Sequence, residues 1–286
     1  MHIAVMPEEA LELLNVRGNG IYVDATAGMG NHTALIAQRL TSGLVIANER
    51  DPESLEMARR NTAPWAERIR FHRGTFPMLP EAVREAGFDK IDGILADLGV
   101  SRYQLTTPQR GFSFAADGPL DMRMDPTTGM TAADLVNFND EKTLADLIYR
   151  LGEERRARRV ARAIVRGRPI RSTLHLADVV SRVLPRTGHL HPATKTFMAL
   201  RMAVNDELGE LDRLLEIGPP LLNSGGRMVV IAFSSGEDRL VKNRFRELAR
   251  EGLGVILTKH PRQPSEAEIS RNPASRSAKL RGLEWN

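Results

Sequence analysis

Hydrophobic positions along this chain switch repeatedly between the period of a strand and that of a helix. Residues 8–14 carry a short helical pattern. Residues 20–26 are a β-branched run ending in small side chains. Beyond Gly28-Met-Gly30-Asn-His32, the apolar Leu35, Ile36 and Leu40 follow helical spacing, so strand, glycine turn and helix succeed one another. A second strand is predicted over 44–49. Asp51 and Pro52 then stand where a helix takes its cap and first residue. Further strands are predicted at 69–72 and 91–97. Strands alternating with helices predict a parallel sheet covered on both faces.

The pattern changes after Gly99. Residues 101–125 are rich in glycine, proline and polar side chains, and a helical stretch follows. Over 153–165, Ala157, Val160, Ala161 and Ile164 line one helical face and Arg155, Arg159, Arg162 and Arg166 another. Residues 174–183 form a further amphipathic segment. Residues 196–217 read as one long helix burying Phe197, Leu200, Val204, Leu208, Leu211 and Leu215. Strand patterns return at 227–233, 254–259 and 277–285. The predicted architecture is an α/β Rossmann-like sheet interrupted after its fourth strand by an all-helical insert. One domain is assigned to 1–104 plus 201–286 and the insert to 105–200.

Composition narrows the class. The 286 residues are 42% hydrophobic and 27% charged, enough for a sizeable core in a globular protein. The net charge of +4 permits nucleic-acid binding without demanding it. There is no cysteine, which excludes disulfides, thiolate nucleophiles and cysteine-ligated zinc. The longest apolar runs are strand-sized and no secretory leader is legible, so a cytoplasmic protein without membrane contact is expected.

In open α/β sheets, ligands bind beyond the carboxyl ends of the strands where strand order reverses. Asp24-Ala-Thr-Ala-Gly28-Met-Gly30 is predicted there, with Glu49 at the end of the next strand, where an acid can hold a ribose diol. A dinucleotide fingerprint asks for a third glycine, and that position is Thr33. The D-x-x-x-G-x-G form is common in S-adenosylmethionine enzymes. Dinucleotide binding, and a tight turn with no ligand, remain alternatives at this point.

The segments downstream are more distinctive. They are Asp97-Leu-Gly-Val-Ser101 with Gln104, Arg110-Gly-Phe-Ser-Phe114, Asp117-Gly-Pro-Leu-Asp-Met-Arg-Met-Asp125 and Gly152-Glu-Glu-Arg155. His191-Pro-Ala-Thr-Lys-Thr-Phe197, Val204-Asn-Asp-Glu-Leu208, Glu237-Asp-Arg239 with Lys242, and Asn272-Pro-Ala-Ser-Arg-Ser-Ala-Lys-Leu-Arg281 complete them. Together they resemble the bacterial small-subunit rRNA cytosine-N4 methyltransferase family, from His2 to the last strand. The resemblance implies a class I methyltransferase sheet, S-adenosylmethionine as cofactor and methylation of a cytidine N4 in the decoding region. As partner it implies small-subunit rRNA or the assembled small ribosomal subunit. It places cofactor contacts on Gly30, Asn31 and His32, on Glu49, on Phe76, and on Asp97 and Gln104, beside Gly28 of the turn. Three positions depart from the family pattern. Asn31 replaces a glycine, so a residue tolerant of left-handed backbone is expected there. Glu49 stands where aspartate is usual, and Gly236 replaces a leucine, which is expected to loosen its loop.

The amino nitrogen of cytosine is a poor nucleophile because its lone pair is delocalised into the ring. A catalyst must accept a hydrogen bond from it and align it with the methyl donor, which needs neither a metal nor a covalent nucleophile. Asp97 is the candidate acceptor and catalytic residue, with a cofactor contact alone as the alternative. Phe112, Phe114 and Tyr103 are candidates to stack on an unpaired base. Asp117, Asp121, Arg123 and Asp125 are expected to form a buried ionic lattice, and His191 a structural contact. RNA contacts are expected from Arg155, Arg159, Arg162 and Arg166, and from a second patch with Arg271, Arg276, Lys279 and Arg281. A non-catalytic rRNA-binding assembly factor and, behind it, a nicotinamide-dependent oxidoreductase stay open from the residues alone.

Overall fold

The computed structural model describes residues 4–185 and 191–286, so His2, where the resemblance begins, lies outside the described residues. The chain divides into two compact units, residues 1–99 with 208–286 and residues 100–207. The first unit opens with α1 (Pro7–Leu14), β1 (Ile21–Asp24), α2 (Asn31–Arg39), β2 (Leu44–Glu49), α3 (Pro52–Asn61), β3 (Ile69–Arg73), α4 (Leu79–Glu85) and β4 (Ile91–Asp97). The strand starts and ends follow the hydrophobic pattern closely. Asp51 caps α3 as expected, its carboxylate accepting from the N–H groups of Glu53 at 3.0 Å and Ser54 at 3.4 Å.

The inserted unit holds α5 (Arg102–Thr106), α6 (Ala132–Phe138), α7 (Glu141–Gly152), α8 (Ala157–Arg166), α9 (Thr173–Ser181) and α10 (Thr194–Val204). Its own core is built from Leu144 and Ile148 of α7, Val160 and Ile164 of α8, Leu176 and Val180 of α9, and Leu200 of α10. Each such fully buried side chain contributes about 1.5–3 kcal/mol. The insert is therefore a folded unit in its own right. Its limits at 100 and 207 replace the expected 105 and 200.

The first unit resumes with α11 (Glu207–Ile217), β5 (Leu222–Ala232), α12 (Ser235–Arg250), β6 (Gly254–Ile256), α13 (Glu266–Arg271) and β7 (Lys279–Trp285). The single helix expected over 196–217 is thus two. Asp206 adopts a left-handed φ of 46°. The side chain of the preceding Asn205 is taken up by long-range partners: it donates to the carbonyl of Met122 at 2.7 Å and accepts from Met124 N–H at 2.8 Å. An apolar periodicity carries no sign of such a break.

The seven strands order as β3-β2-β1-β4-β5-β7-β6. The expectation of a wholly parallel sheet needs correcting at β7, which runs antiparallel to both β5 and β6. The link from β6 through α13 does not cross back over the sheet, so β7 enters from the carboxyl edge. Successive residues alternate between faces. Ile94, Ala96, Val230 and Ala232 pack with α4, α11 and α12, while Tyr22, Leu95, Val229 and Ile231 pack with α1 and α2.

Candidate active site

Strand order reverses between β1 and β4, and the carboxyl ends of these two strands carry a dense polar arrangement. Asp24 closes β1 fully buried; it accepts from the Thr33 hydroxyl at 2.6 Å and from Thr26 N–H at 3.2 Å. Desolvation pushes its carboxyl up to about 6. Thr26 in turn accepts the Asp97 N–H at 2.7 Å, tying the turn after β1 to the end of β4. From β2, the Asn48 amide donates to Ala25 O at 3.1 Å and the Asn48 carbonyl receives Ala27 N–H at 2.9 Å. Thr26 and Asn48 escaped the sequence reading, because neither lies on a periodic or charged pattern.

Gly28 and Gly30 take left-handed φ values of 53° and 87°. At Gly30 a Cβ would lie 3.2 Å from Cα of Ala58 and 2.8 Å from the Thr62 methyl, so only glycine fits. Gly30 is the cap of α2 and offers no side-chain acceptor to that helix's first turn. Asn31 is the first residue inside α2 and has no positive φ. The left-handed backbone expected at Asn31 is therefore absent, which explains why a residue other than glycine is tolerated there.

Glu49, at the end of β2, accepts from Gly28 N–H at 2.8 Å and from Asp51 N–H at 2.9 Å, bracing the glycine turn. Burial pushes its carboxyl up to about 7. Phe76 follows β3 at the same edge, half-buried, its N–H donating to Glu210 at 3.2 Å.

His32 and Asp97 meet at the end of β4. Asp97 follows Leu95 on the α2 side of the sheet, and His32 lies on the first turn of α2. The His32 ring is buried, with Nε2 3.0 Å from the Val5 carbonyl and Nδ1 3.5 Å from Asp97 Oδ2. A carbonyl only accepts, so Nε2 carries the proton and Nδ1 presents a lone pair to Asp97. Burial pulls the imidazole down to about 4, keeping it neutral. Burial first, then the nearby acids Asp24, Glu237 and Glu268, hold the Asp97 carboxyl well above the usual carboxylate range. The Nδ1 lone pair can accept a hydrogen bond from Oδ2 only when Asp97 carries a proton there, and makes none to the charged carboxylate. The other oxygen, Oδ1, is buried without a hydrogen-bond partner.

Gln104 belongs to the inserted unit. It sits in a reciprocal cap with Ser101, accepting Ser101 N–H at 2.9 Å while its own N–H donates to Ser101 Oγ at 3.2 Å. In the same unit Arg159, Arg162 and Arg166 lie on the exposed face of α8, opposite Val160, Ala161 and Ile164. Arg155 belongs to the exposed turn before α8 rather than to the helix, because the helix starts at Ala157. Arg162 pairs with Glu141 at 3.2 Å, and Arg158, not singled out from sequence, is exposed beside it.

The buried ionic lattice expected at 117–125 is corrected. Asp121 and Arg123 form an ion pair at 2.7 Å, but both are only partly buried. Asp117 is exposed and accepts the Leu174 N–H at 3.2 Å, and Asp125 accepts from Thr127. Phe114 packs at 4.7 Å against both His191 and Phe197, and Phe112 is buried in the insert core, so these rings serve packing; Tyr103 is half-buried on α5.

In the first unit Arg276 is exposed, whereas Lys279 lies 3.9 Å from Asp238 and Arg281 is buried on it at 2.7 Å. Arg281 leaves the expected surface patch for that reason. Gly236 lies inside the first turn of α12 rather than in a loop, and a Cβ there would meet only ordinary contacts at 3.8–3.9 Å.

An acceptor without a donor at Asp97, a helix start without a side-chain cap at Gly30, and two left-handed glycines form a cradle that lacks its polar complement. The residues fit S-adenosylmethionine, with its charged amino-acid end and its ribose diol. Among the described residues, no group of three or more His, Asp or Glu is arranged to hold a metal ion, and no helix is long and apolar enough to cross a membrane.

Comparison with known proteins agrees with this chemistry. The profile of the MraW methylase family matches residues 1–286. The chain is 70% identical over 284 residues to the ribosomal RNA small subunit methyltransferase H of Solibacter usitatus, covering 99% of each chain. It is 48% identical to the protein of that name from Acidobacterium capsulatum, covering 99% of this chain and 98% of the relative. A third, from a Cyanothece species, is 50% identical over 98% of this chain and 93% of its own. This removes the nicotinamide reading of the glycine turn. The chain belongs to the MraW methylase family and is an S-adenosylmethionine-dependent methyltransferase.

Proposed function

We propose that this enzyme methylates the exocyclic N4 of a cytidine in small-subunit rRNA, met as RNA or within the assembled small subunit, in the cytoplasm. The relatives' names point to the rRNA. The observation that carries the choice of a base amino group is the Asp97 carboxyl, with one buried, unpartnered oxygen at the end of β4. Gly28, Gly30, Asn31 and His32 would hold the amino-acid end of S-adenosylmethionine, Glu49 the ribose diol, and Phe76 the adenine side; Gln104 is assigned to the same cofactor. When bound, the cofactor supplies an electrophilic methyl group on a cationic sulfur.

The chain's own part is positioning and proton handling. Asp97 Oδ1 accepts a hydrogen bond from the amino group, which draws the nitrogen lone pair out of conjugation with the ring. Once nitrogen has gained a methyl it must shed a proton, and the same carboxylate takes it. A carboxyl raised by burial is a better base for this than an ordinary one. His32, fixed by the Val5 carbonyl, lies beside Oδ2, while Oδ1 is the oxygen left without a partner. The insert, with Arg155, Arg159, Arg162 and Arg166, is assigned to RNA docking, with Arg276 and Lys279 as a lesser contribution from the first unit.

The test is nucleoside mass spectrometry of small-subunit rRNA after incubating unmethylated subunits with the enzyme and S-adenosylmethionine. N4-methylcytidine is the expected product. A methyl group on another atom, or none, overturns the reading.

A further inference from the structure

A second polar cavity lies in the first unit, between α12 and the β6–β7 edge of the sheet. Its volume is about 160 Å³, and it is lined by Lys242, Phe245, Arg246, Thr258, Lys259 and Arg281, with Ile256. We propose that this cavity binds a backbone phosphate of the RNA substrate, a few nucleotides from the target cytidine. The inference rests on the reading that the substrate is RNA.

Charge is the first support. Four cationic side chains line the cavity, and only Arg281 has a carboxylate partner, Asp238 at 2.7 Å. Among the described residues no carboxylate lies within ion-pair distance of Lys242, Arg246 or Lys259. Lys242 and Arg246 stand four apart on α12, where like charges oppose helix formation rather than support it. An anion is what this arrangement lacks. Lys242 follows the Glu237-Asp-Arg239 segment, and the methyl-transfer site makes no use of it.

Construction is the second support. Phe245 is buried, and Arg281 is fixed on Asp238, so the floor is rigid. Thr258 is buried and accepts the Gly282 N–H at 3.1 Å through its hydroxyl oxygen. Among the described residues its own proton has no acceptor, which leaves a donor for a phosphate oxygen. The volume is below the roughly 300–1,000 Å³ of sites that enclose a whole small ligand, so it admits a group rather than a nucleotide.

Register is the third. Asp97 pairs with Ile231, which pairs with Leu280, and Thr258 bonds Gly282 two residues further along β7. The cavity therefore lies near the level of Asp97, on the opposite face of the sheet and three strand spacings along it, at about 4.8 Å each. An RNA strand reaches it in a few nucleotides by rounding the carboxyl edge to the α12 face.

The test uses the full chain, a Lys242→Ala/Arg246→Ala variant and its charge-keeping partner Lys242→Arg/Arg246→Lys. Binding of a single-stranded RNA oligonucleotide is measured across a salt series. The Ala variant is expected to bind about tenfold more weakly and to lose about 0.7 from the slope of log affinity against log salt per phosphate released. The charge-keeping variant should match the wild type, and S-adenosylmethionine affinity should be unchanged in both. Wild-type affinity and slope in the Ala variant overturn the proposal. So does tight binding of inorganic phosphate or AMP that leaves RNA binding unaffected, which makes the cavity a small-molecule site. N4-methylcytidine formation by the wild type is scored in parallel. Altered RNA binding with no such product keeps the phosphate site and removes the cytidine-N4 reading.

Discussion

The two units of this enzyme treat charge in opposite ways. In the sheet unit the ionisable groups at the carboxyl edge are buried, and burial moves them: Asp24 up to about 6, Glu49 up to about 7, Asp97 further up, His32 down to about 4. In the insert the acids with displaced values are more open and move the other way. Ser172 and Leu174 lower Asp117, Thr131 lowers Asp134, and Thr143 lowers Asp140, each through hydrogen bonds to the charged form. The arginines of α8 point to solvent. Buried, neutralised carboxyls suit proton transfer and differential stabilisation of a reacting group. Exposed cations and charged caps suit a folded scaffold that meets a polyanion in water. The contrast supports the proposed division, with chemistry in one unit and docking in the other.

That assignment breaks first at Asp97. Replacing it with Asn keeps the shape and removes the charge and the proton acceptor. Single-turnover methyl transfer at saturating cofactor should fall on the order of a hundredfold or more, with RNA affinity unchanged. A near-normal rate takes Asp97 out of the chemistry.

Glu49 comes next. Glu49→Ala removes the acceptor assigned to the ribose diol and the brace on Gly28. Calorimetry should show S-adenosylmethionine binding weakened by about 1.5–3 kcal/mol, the usual range for a hydrogen bond to a charged group. Unchanged affinity moves the diol elsewhere. RNA binding is the control and should stay put.

On the docking side, Arg159→Glu with Arg162→Glu should weaken RNA binding by about tenfold and flatten its salt dependence, because fewer counterions are released. Arg162 already holds Glu141, so Arg159 is expected to carry more of the effect than Arg162 when each is changed alone. Cofactor binding should be untouched. If neither slope nor affinity moves, the α8 face is only solvated.

A pH dependence of cofactor affinity is also expected. The Glu49 carboxyl titrates at about 7, and ribose hydroxyls donate to its charged form. Its folded value is raised, so the charged form is lost as pH falls through 7. Affinity should be flat above that point and decline below it, approaching about tenfold per pH unit. Glu49→Gln should remove the trend. An identical profile in both proteins means that another group titrates.

Much of the sheet unit was legible because its signals are local. The Asp51 cap, the ends of β2 and β4, and the glycine turn each follow from a few adjacent residues, and these are enough to place Gly28, Gly30, His32, Glu49 and Asp97 at one edge of the sheet. What was illegible depends on partners far along the chain. Asn205 breaks a helix because Met122 and Met124 claim its amide. Arg281 looks like a surface cation until Asp238 covers it. The direction of β7 depends on a link that stays at one edge of the sheet. Thr26 and Asn48 hold the site through backbone bonds that no pattern of charge or hydrophobicity announces. Arg155 fits helical spacing on paper, yet the helix starts two residues later.

The central claim, that a burial-raised Asp97 carboxylate takes the proton released by N4, is tested most directly by the pH profile of single-turnover methyl transfer. Wild type and Asp97→Asn are compared on small ribosomal subunits at saturating cofactor, from about pH 5 to about pH 9. Because the carboxyl is raised, its charged form appears only above the usual carboxylate range. The wild-type rate should therefore climb with pH through a single ionisation in that raised range and then level off. Asp97→Asn should be slow and flat across the same interval. A wild-type rate already level at the acid end, or the same rise in Asp97→Asn, would contradict the account.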